Sequence, residues 1–215
     1  DRAKYRVDPD FVNMPLSRLL SKGYVNQWRN TIGDMATPSS VLGAEILTGN
    51  ESEETTHFSV IDSEGNMVAT TTTLEGGYGA KVIAKGTGFL LNNEMTDFAR
   101  EVPADGTRLA NAVAPNRRPR SSMSPTMIFD SNNQLLMITG SPGGNSIPAY
   151  VSKTIVGVFD WSLTAQQAVD LPNIIARGDS VRVEIANNKG KTIAANLAKR
   201  GYNVIENMSE NSAIH

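Results

Sequence analysis

Two β-branched stretches, His57–Ile61 and Met67–Leu74, flank the turn-rich run Asp62-Ser63-Glu64-Gly65-Asn66. This arrangement constrains the chain more than any other feature. The second stretch contains four consecutive threonines, Thr70 to Thr73. β-branched side chains lose rotamer freedom in a helix and fit a pleated, half-buried surface. With Asp, Ser, Gly and Asn between them, the two runs predict an antiparallel hairpin. The first strand opens on Thr55-Thr56, directly after the polar, acidic run that ends at Glu54.

Around the hairpin the pattern changes twice. Upstream, Leu16, Leu19, Leu20, Tyr24 and Trp28 recur at helical spacing behind Pro15, and Gly23 interrupts the segment, which reads equally as one helix or as two short ones. From Thr31 to Glu54, Pro38-Ser39-Ser40, Gly43 and Gly49-Asn50 read as an extended linker. Downstream, Thr87–Leu91 reads as a short strand and Ala99 to Arg108 as a surface loop. Met123–Phe129 and Gln134–Thr139 pair across Asp130-Ser131-Asn132-Asn133. Ile147–Phe159 is apolar on most of its circumference, as a buried helix is, with Pro148 in its first turn. Leu163–Leu171 is a shorter amphipathic helix. Val181–Ile185 is a strand, Lys191–Arg200 a helix ending near Gly201, and Tyr202–Ile205 a last strand. Strands, then helices, then a βαβ-like end make an α+β architecture.

Composition excludes several classes. The chain has 215 residues, of which 40% are hydrophobic, enough for a sizeable core. Its net charge of −2 carries no electrostatic footprint for nucleic acid. With no cysteine and only His57 and His215 as histidines, disulfides, thiol catalysis and cysteine-based zinc sites are ruled out. Neither a metal nor a cofactor is expected. No apolar run reaches the roughly 20 residues of a membrane span.

Several short motifs carry chemistry. A threonine that becomes an N-terminus needs no separate base, because its own α-amine accepts the hydroxyl proton. That amine has a pKa of about 7.7–8.0, against about 10.4 for lysine. It exists only if the Glu54–Thr55 bond is cut, and the same hydroxyl can cut it by attacking the Glu54 carbonyl. Glu94 and Asp97 lie three apart, so on a helical turn they share a face and suit a cationic group. Gly143-Gly144 can offer consecutive backbone N–H groups to an oxyanion; no Gly-Lys-Ser/Thr comes after them, so this is not a phosphate loop. Taken singly, each motif is ordinary: threonine pairs fill strands, glycine pairs make turns, and Ser121 and Ser122 are generic hydroxyls. His57 falls on the same strand face as Thr55, roughly 7 Å along, and reads as structural because the amine already supplies the base.

Together, Thr55-Thr56-His57-Phe58-Ser59-Val60, Leu91-Asn92-Asn93-Glu94-Met95-Thr96-Asp97-Phe98, Arg118-Pro119-Arg120-Ser121-Ser122-Met123-Ser124-Pro125 and Thr139-Gly140-Ser141-Pro142-Gly143-Gly144 resemble the C-terminal part of a γ-glutamyltranspeptidase precursor. The resemblance implies the N-terminal-nucleophile hydrolase fold, a four-layer αββα sandwich that would be incomplete in this chain. It implies autocleavage at Glu54–Thr55, with Thr55 as nucleophile and Thr73 hydrogen-bonded to it. Gly143 and Gly144 become the oxyanion hole. Glu94 and Asp97 hold the substrate α-amino group, and Ser121 and Ser122 its α-carboxylate. Many relatives have asparagine where Glu75 stands, contacting the substrate's amino end; a glutamate can still bind an ammonium.

The implied reaction moves a γ-glutamyl group from glutathione or a similar donor, through a threonine ester, to water or to an amino acid or peptide. A β-lactam acylase, a poly-γ-glutamate depolymerase and an unprocessed, non-catalytic relative remain alternatives. Asp8-Pro9-Asp10-Phe11-Val12 matches a segment late in the family's large subunit. Residues 1–54 are therefore expected to be the tail of that subunit and residues 55–215 most of the small one. The remainder of the large subunit is the expected partner and supplies an arginine that nothing here matches. A periplasmic or secreted location goes with the resemblance.

Overall fold

The computed structural model describes residues 7–41, 54–99 and 109–210. Its hairpin is the predicted one: β1 (Thr55–Ile61) pairs antiparallel with β2 (Met67–Thr73) in unbroken register from Thr55↔Thr73 to Ile61↔Met67. Asp62 closes the turn, accepting hydrogen bonds from the Glu64 and Asn66 main chain and from Asn66 Nδ2. These bonds hold its carboxyl below the usual carboxylate range, with the Asn66 side chain the largest cause. Strand alternation sends His57 inward and leaves Phe58 and Val60 exposed.

The second hairpin joins β3 (Thr126–Phe129) to β4 (Leu135–Thr139), with an irregularity between Ile128 and Phe129. From β4 the chain runs through a buried loop and a 3-10 turn (Gly144–Ser146) into α3 (Ile147–Phe159). Ile147, Tyr150, Val151, Thr154 and Gly157 form the buried side of α3. A Cβ on Gly157 would sit 2.8 Å from Ala168 Cβ, so its absence lets α4 (Ala165–Val169) approach. Thr164 and Gln167 close a reciprocal capping box at the start of α4. Lys153 Nζ donates to the carbonyl of Val169, at the end of α4, and to that of Leu171 just past it. Burial lowers the pKa of that ammonium, opposed by the nearby Glu184 and Asp170 carboxylates.

The third sheet orders as β5-β6-β7, with β5 at Ile174–Arg177, β6 at Ser180–Glu184 and β7 at Asn203–Asn207. β6 pairs antiparallel with β5 and parallel with β7, and α5 (Asn188–Lys199) makes the crossover. Val181, Val183 and Ala194 form its core, packed by Ile185, Ile193, Leu197, Tyr202 and Val204.

Several expectations need correction. Upstream, α1 (Leu16–Leu19) and α2 (Lys22–Arg29) settle the open choice in favour of two helices, and the break falls at Ser21 rather than Gly23. Ser21 caps α2 by accepting from the Tyr24 N–H at 3.2 Å. Thr87–Leu91 is not a strand: Gly86 and Gly88 have φ of +80° and +77° and bend the chain, leaving an isolated Ile83↔Leu90 bridge. β5 has no counterpart in the sequence reading.

The linker expectation holds only in part. Within residues 31–41 the chain is tied down: Ala36 N–H donates to the Arg200 carbonyl at 2.8 Å and Ser39 N–H to Asp179 Oδ1 at 3.2 Å. The Ser39 hydroxyl also donates to the Gly178 carbonyl. The rest of that linker, nearly all of the 99–108 loop, and His215 lie outside the described residues.

Candidate active site

Thr55 and Thr73 are register partners at the open end of the first hairpin. The Thr73 hydroxyl donates to the Glu54 main-chain carbonyl at 2.8 Å, and its oxygen accepts the Glu75 N–H at 2.9 Å. Glu75 sits at φ +71°, a left-handed conformation that turns the chain sharply after β2. Its buried carboxylate accepts from Asn93 Nδ2, while Asn93 Oδ1 accepts the Gly76 N–H at 2.9 Å. One asparagine thus holds both the side chain of Glu75 and the main chain beside it.

Glu94 and Asp97 begin and end a 3-10 turn (Glu94–Asp97), where residues three apart eclipse. Asn111, itself buried, donates to the Asp97 carbonyl at 2.7 Å and accepts from the Arg120 N–H at 3.1 Å. That leads to the serine pair. Ser122 is buried and donates to Asn145 Oδ1 at 3.1 Å, and Ser121 Oγ accepts from the Met123 N–H at 3.2 Å. Gly143 and Gly144 are buried at φ +121° and +52°, values that a side chain would strain. They precede α3, so their amides add to the positive end of a 13-residue helix.

One cleft collects these parts: Thr55, Thr73, Glu75, Asp97, Ser121, Ser122, Met123, Gly144 and Ile147 line it. Glu94 and Gly143 stand next to that lining without joining it. Two threonine hydroxyls, two carboxylates, two serine hydroxyls and a glycine main chain thus share one small space. Among the described residues no cluster of three or more acidic or histidine side chains is arranged for a metal ion, and no helix is long and apolar enough to cross a membrane.

Three residues of the site carry no catalytic or binding role in the sequence reading. Asn93 grips Glu75 and Gly76; its place beside Glu94 in the motif is the available signal. Asn145 holds Ser122 and directly follows Gly144. His57, structural by its sequence context, is 1% exposed, with Nδ1 2.7 Å from Thr71 Oγ1 and Nε2 3.2 Å from Ser59 Oγ. Its ring fills the space where Gly140 would carry a Cβ.

Comparison with solved structures sets this arrangement in a class. The γ-glutamyltranspeptidase of Pseudomonas nitroreducens superposes with a TM-score of 0.65 at 31% identity, covering 74% of this chain and 86% of that one. A cephalosporin acylase from Bacillus halodurans shares the fold at a TM-score of 0.77 and 24% identity, over 97% of this chain and 36% of that one. The fold is that of an N-terminal-nucleophile hydrolase, α+β in its element content.

The family model for gamma-glutamyltranspeptidase matches residues 1–215, and the chain belongs to that family. Among its relatives, the glutathione hydrolase proenzyme of Pseudomonas sp. (strain A14) is 41% identical over 80% of this chain. That of Escherichia coli (strain K12) is 40% identical over 86%. The Acylase ACY 1 proenzyme of Pseudomonas sp. (strain V22) is 35% identical over 95%. The chain spans about a third of the length of these relatives: 31%, 33% and 35% respectively.

Proposed function

We propose that this chain carries the nucleophile and most of the substrate contacts of a γ-glutamyl transferase and hydrolase that matures by cutting itself at Glu54–Thr55. The supporting observation is the single cleft shared by Thr55, Thr73, Glu75, Asp97, Ser121, Ser122 and Gly144. In maturation, Thr55 Oγ attacks the Glu54 carbonyl, whose oxygen already faces the Thr73 hydroxyl. As the ester forms, the C–N bond breaks and the nitrogen, taking up the hydroxyl proton, becomes the Thr55 α-amine; water then hydrolyses the ester, leaving a carboxylate on Glu54 and restoring the Thr55 hydroxyl. In turnover that amine takes the Thr55 hydroxyl proton as the oxygen attacks the γ-glutamyl carbonyl. To the Gly143 and Gly144 amides we assign the developing oxyanion. The proton passes to the departing amine, a γ-glutamyl ester forms, and water or an acceptor amine releases it.

Substrate ends are sorted by charge. Glu75, Glu94 and Asp97 suit the α-ammonium; Ser121 and Ser122 suit the α-carboxylate. The arginine expected to pair with that carboxylate, and the rest of the large subunit, would come from outside the segment matched here. Glutathione is the donor best supported, from the names of the relatives at 40–41% identity. The Acylase ACY 1 relative at 35% identity supports a second reading, an acylase of the same fold.

Intact mass tests maturation. Cleavage after Glu54 gives pieces of 54 and 161 residues (215 − 54 = 161), and Thr55→Ala leaves one uncut species. Parallel assays with glutathione, a glutaryl-cephalosporin and polyglutamate then separate the donors. A protein that stays whole and hydrolyses none of the three refutes the proposal.

A further inference from the structure

Asp8 lies far upstream of the proposed scissile bond, yet its carboxylate is tied to the loop that carries the serine pair. Its side chain is 3% exposed. Arg118 gives it three donors: the main-chain N–H to Oδ2 at 2.8 Å, Nε to Oδ2 at 3.3 Å and Nη2 to Oδ1 at 2.8 Å. Nη2 also reaches Asp10 Oδ2 at 2.6 Å. Next door, the Arg117 guanidinium stands 5.0 Å from the centre of the Phe11 ring. Hydrogen bonding from the Arg118 side chain and then its main chain holds the Asp8 carboxyl well below the usual carboxylate range.

The chain just beyond Arg118 has little freedom. Pro119 fixes its own φ. Arg120 N–H is held by Asn111, and Ser122 Oγ by Asn145. The segment from Arg118 to Ser122 is therefore anchored at one end by Asp8 and at the other by two asparagines.

We infer that Asp8 is a positioning residue for the anion cradle. By gripping both the main chain and the side chain of Arg118, it fixes Ser121 and Ser122 where a substrate carboxylate binds. The inference rests on the γ-glutamyl reading above for the identity of that carboxylate. It adds that Asp8, upstream of the cut, stays a working part of the site after maturation, without itself touching substrate.

The test uses the full-length protein and Asp8→Asn, read by peptide-resolved hydrogen exchange and by steady-state kinetics with a γ-glutamyl anilide. Exchange at Ser121–Met123 should quicken at least about tenfold while β3 stays at the parental rate. KM should rise about tenfold with kcat within about twofold. Arg118→Lys keeps the charge but loses the fork, and should fall between parent and Asp8→Asn in both measures; it also serves if Asp8→Asn does not fold. Parental exchange at Ser121–Met123, or a lowered melting temperature with unchanged KM, overturns the inference. A parent that is neither cut nor active sinks the γ-glutamyl reading instead, and the exchange data still decide whether Asp8 holds the loop.

Discussion

The Thr73 hydroxyl donates to the main-chain carbonyl of Glu54 from 2.8 Å, while the Glu75 N–H donates to the same hydroxyl at 2.9 Å. The first donor aims at the oxygen that would become negative in the proposed attack by Thr55, and the second strengthens it. Removing one such donor typically slows acyl chemistry by about 10²–10³. Thr73→Val should slow the appearance of the two pieces by about that factor, and Thr73→Ser should stay near the parent. A time course of intact mass checks both.

Gly140 and His57 occupy one another's space. A Cβ at Gly140 would run into the imidazole, and that ring is itself held by Thr71 and Ser59. Gly140→Ala should therefore cost about 1–3 kcal/mol in unfolding free energy, as overpacking does. His57→Ala combined with Gly140→Ala should recover part of that loss, because the two changes meet at one contact. Denaturant unfolding of the four proteins closes the cycle.

Asn93 holds Glu75 and the Gly76 main chain together. Asn93→Ala leaves a buried carboxylate and the Gly76 N–H without their shared partner, a loss of about 1–3 kcal/mol in the alignment of the ammonium site. The expected signature is a raised KM for the γ-glutamyl donor with processing at Glu54–Thr55 preserved. Asn93→Asp should be worse, since it sets a second carboxylate against Glu75.

Acid should separate the parent from Asp8→Asn. The folded-state pKa of Asp8 is depressed, chiefly by the Arg118 side chain, with Asp10 the neighbouring acid. Its contribution to stability is thus fully present above the ordinary carboxylate value of about 3.9 and disappears as pH falls through the lower folded value. The difference in melting temperature between the two proteins should hold from neutrality to about pH 5 and shrink below about pH 4.

The first hairpin was legible because β-branched runs, turn residues and strand period all agree there, as they do for α3 with its proline start. The cleft residues were legible only as motifs in combination. Asn93 and Asn145 were not, because their roles come from meeting Glu75 and Ser122 across the fold, and an asparagine beside a glutamate or a glycine announces no partner. Thr87–Leu91 misled because its apolar ending resembles a strand, while Gly86 and Gly88 govern the backbone. β5 was missed because Ile174–Arg177 is only four residues long and gains its order by pairing with β6.

The unbroken pairing from Ile61↔Met67 to Thr55↔Thr73 means that the turn at Asp62–Asn66 acts as a gauge for the far end of the hairpin. Each residue added to or taken from that turn advances one strand past the other by a step, and every step reverses the face a side chain presents. A single deletion there, at the opposite end of the hairpin from Glu54 and touching no residue of the cleft, would turn the Thr73 hydroxyl away from the bond it is set against. The pace of the proposed self-cleavage would in this sense be written at the opposite end of the strand from the Glu54–Thr55 bond.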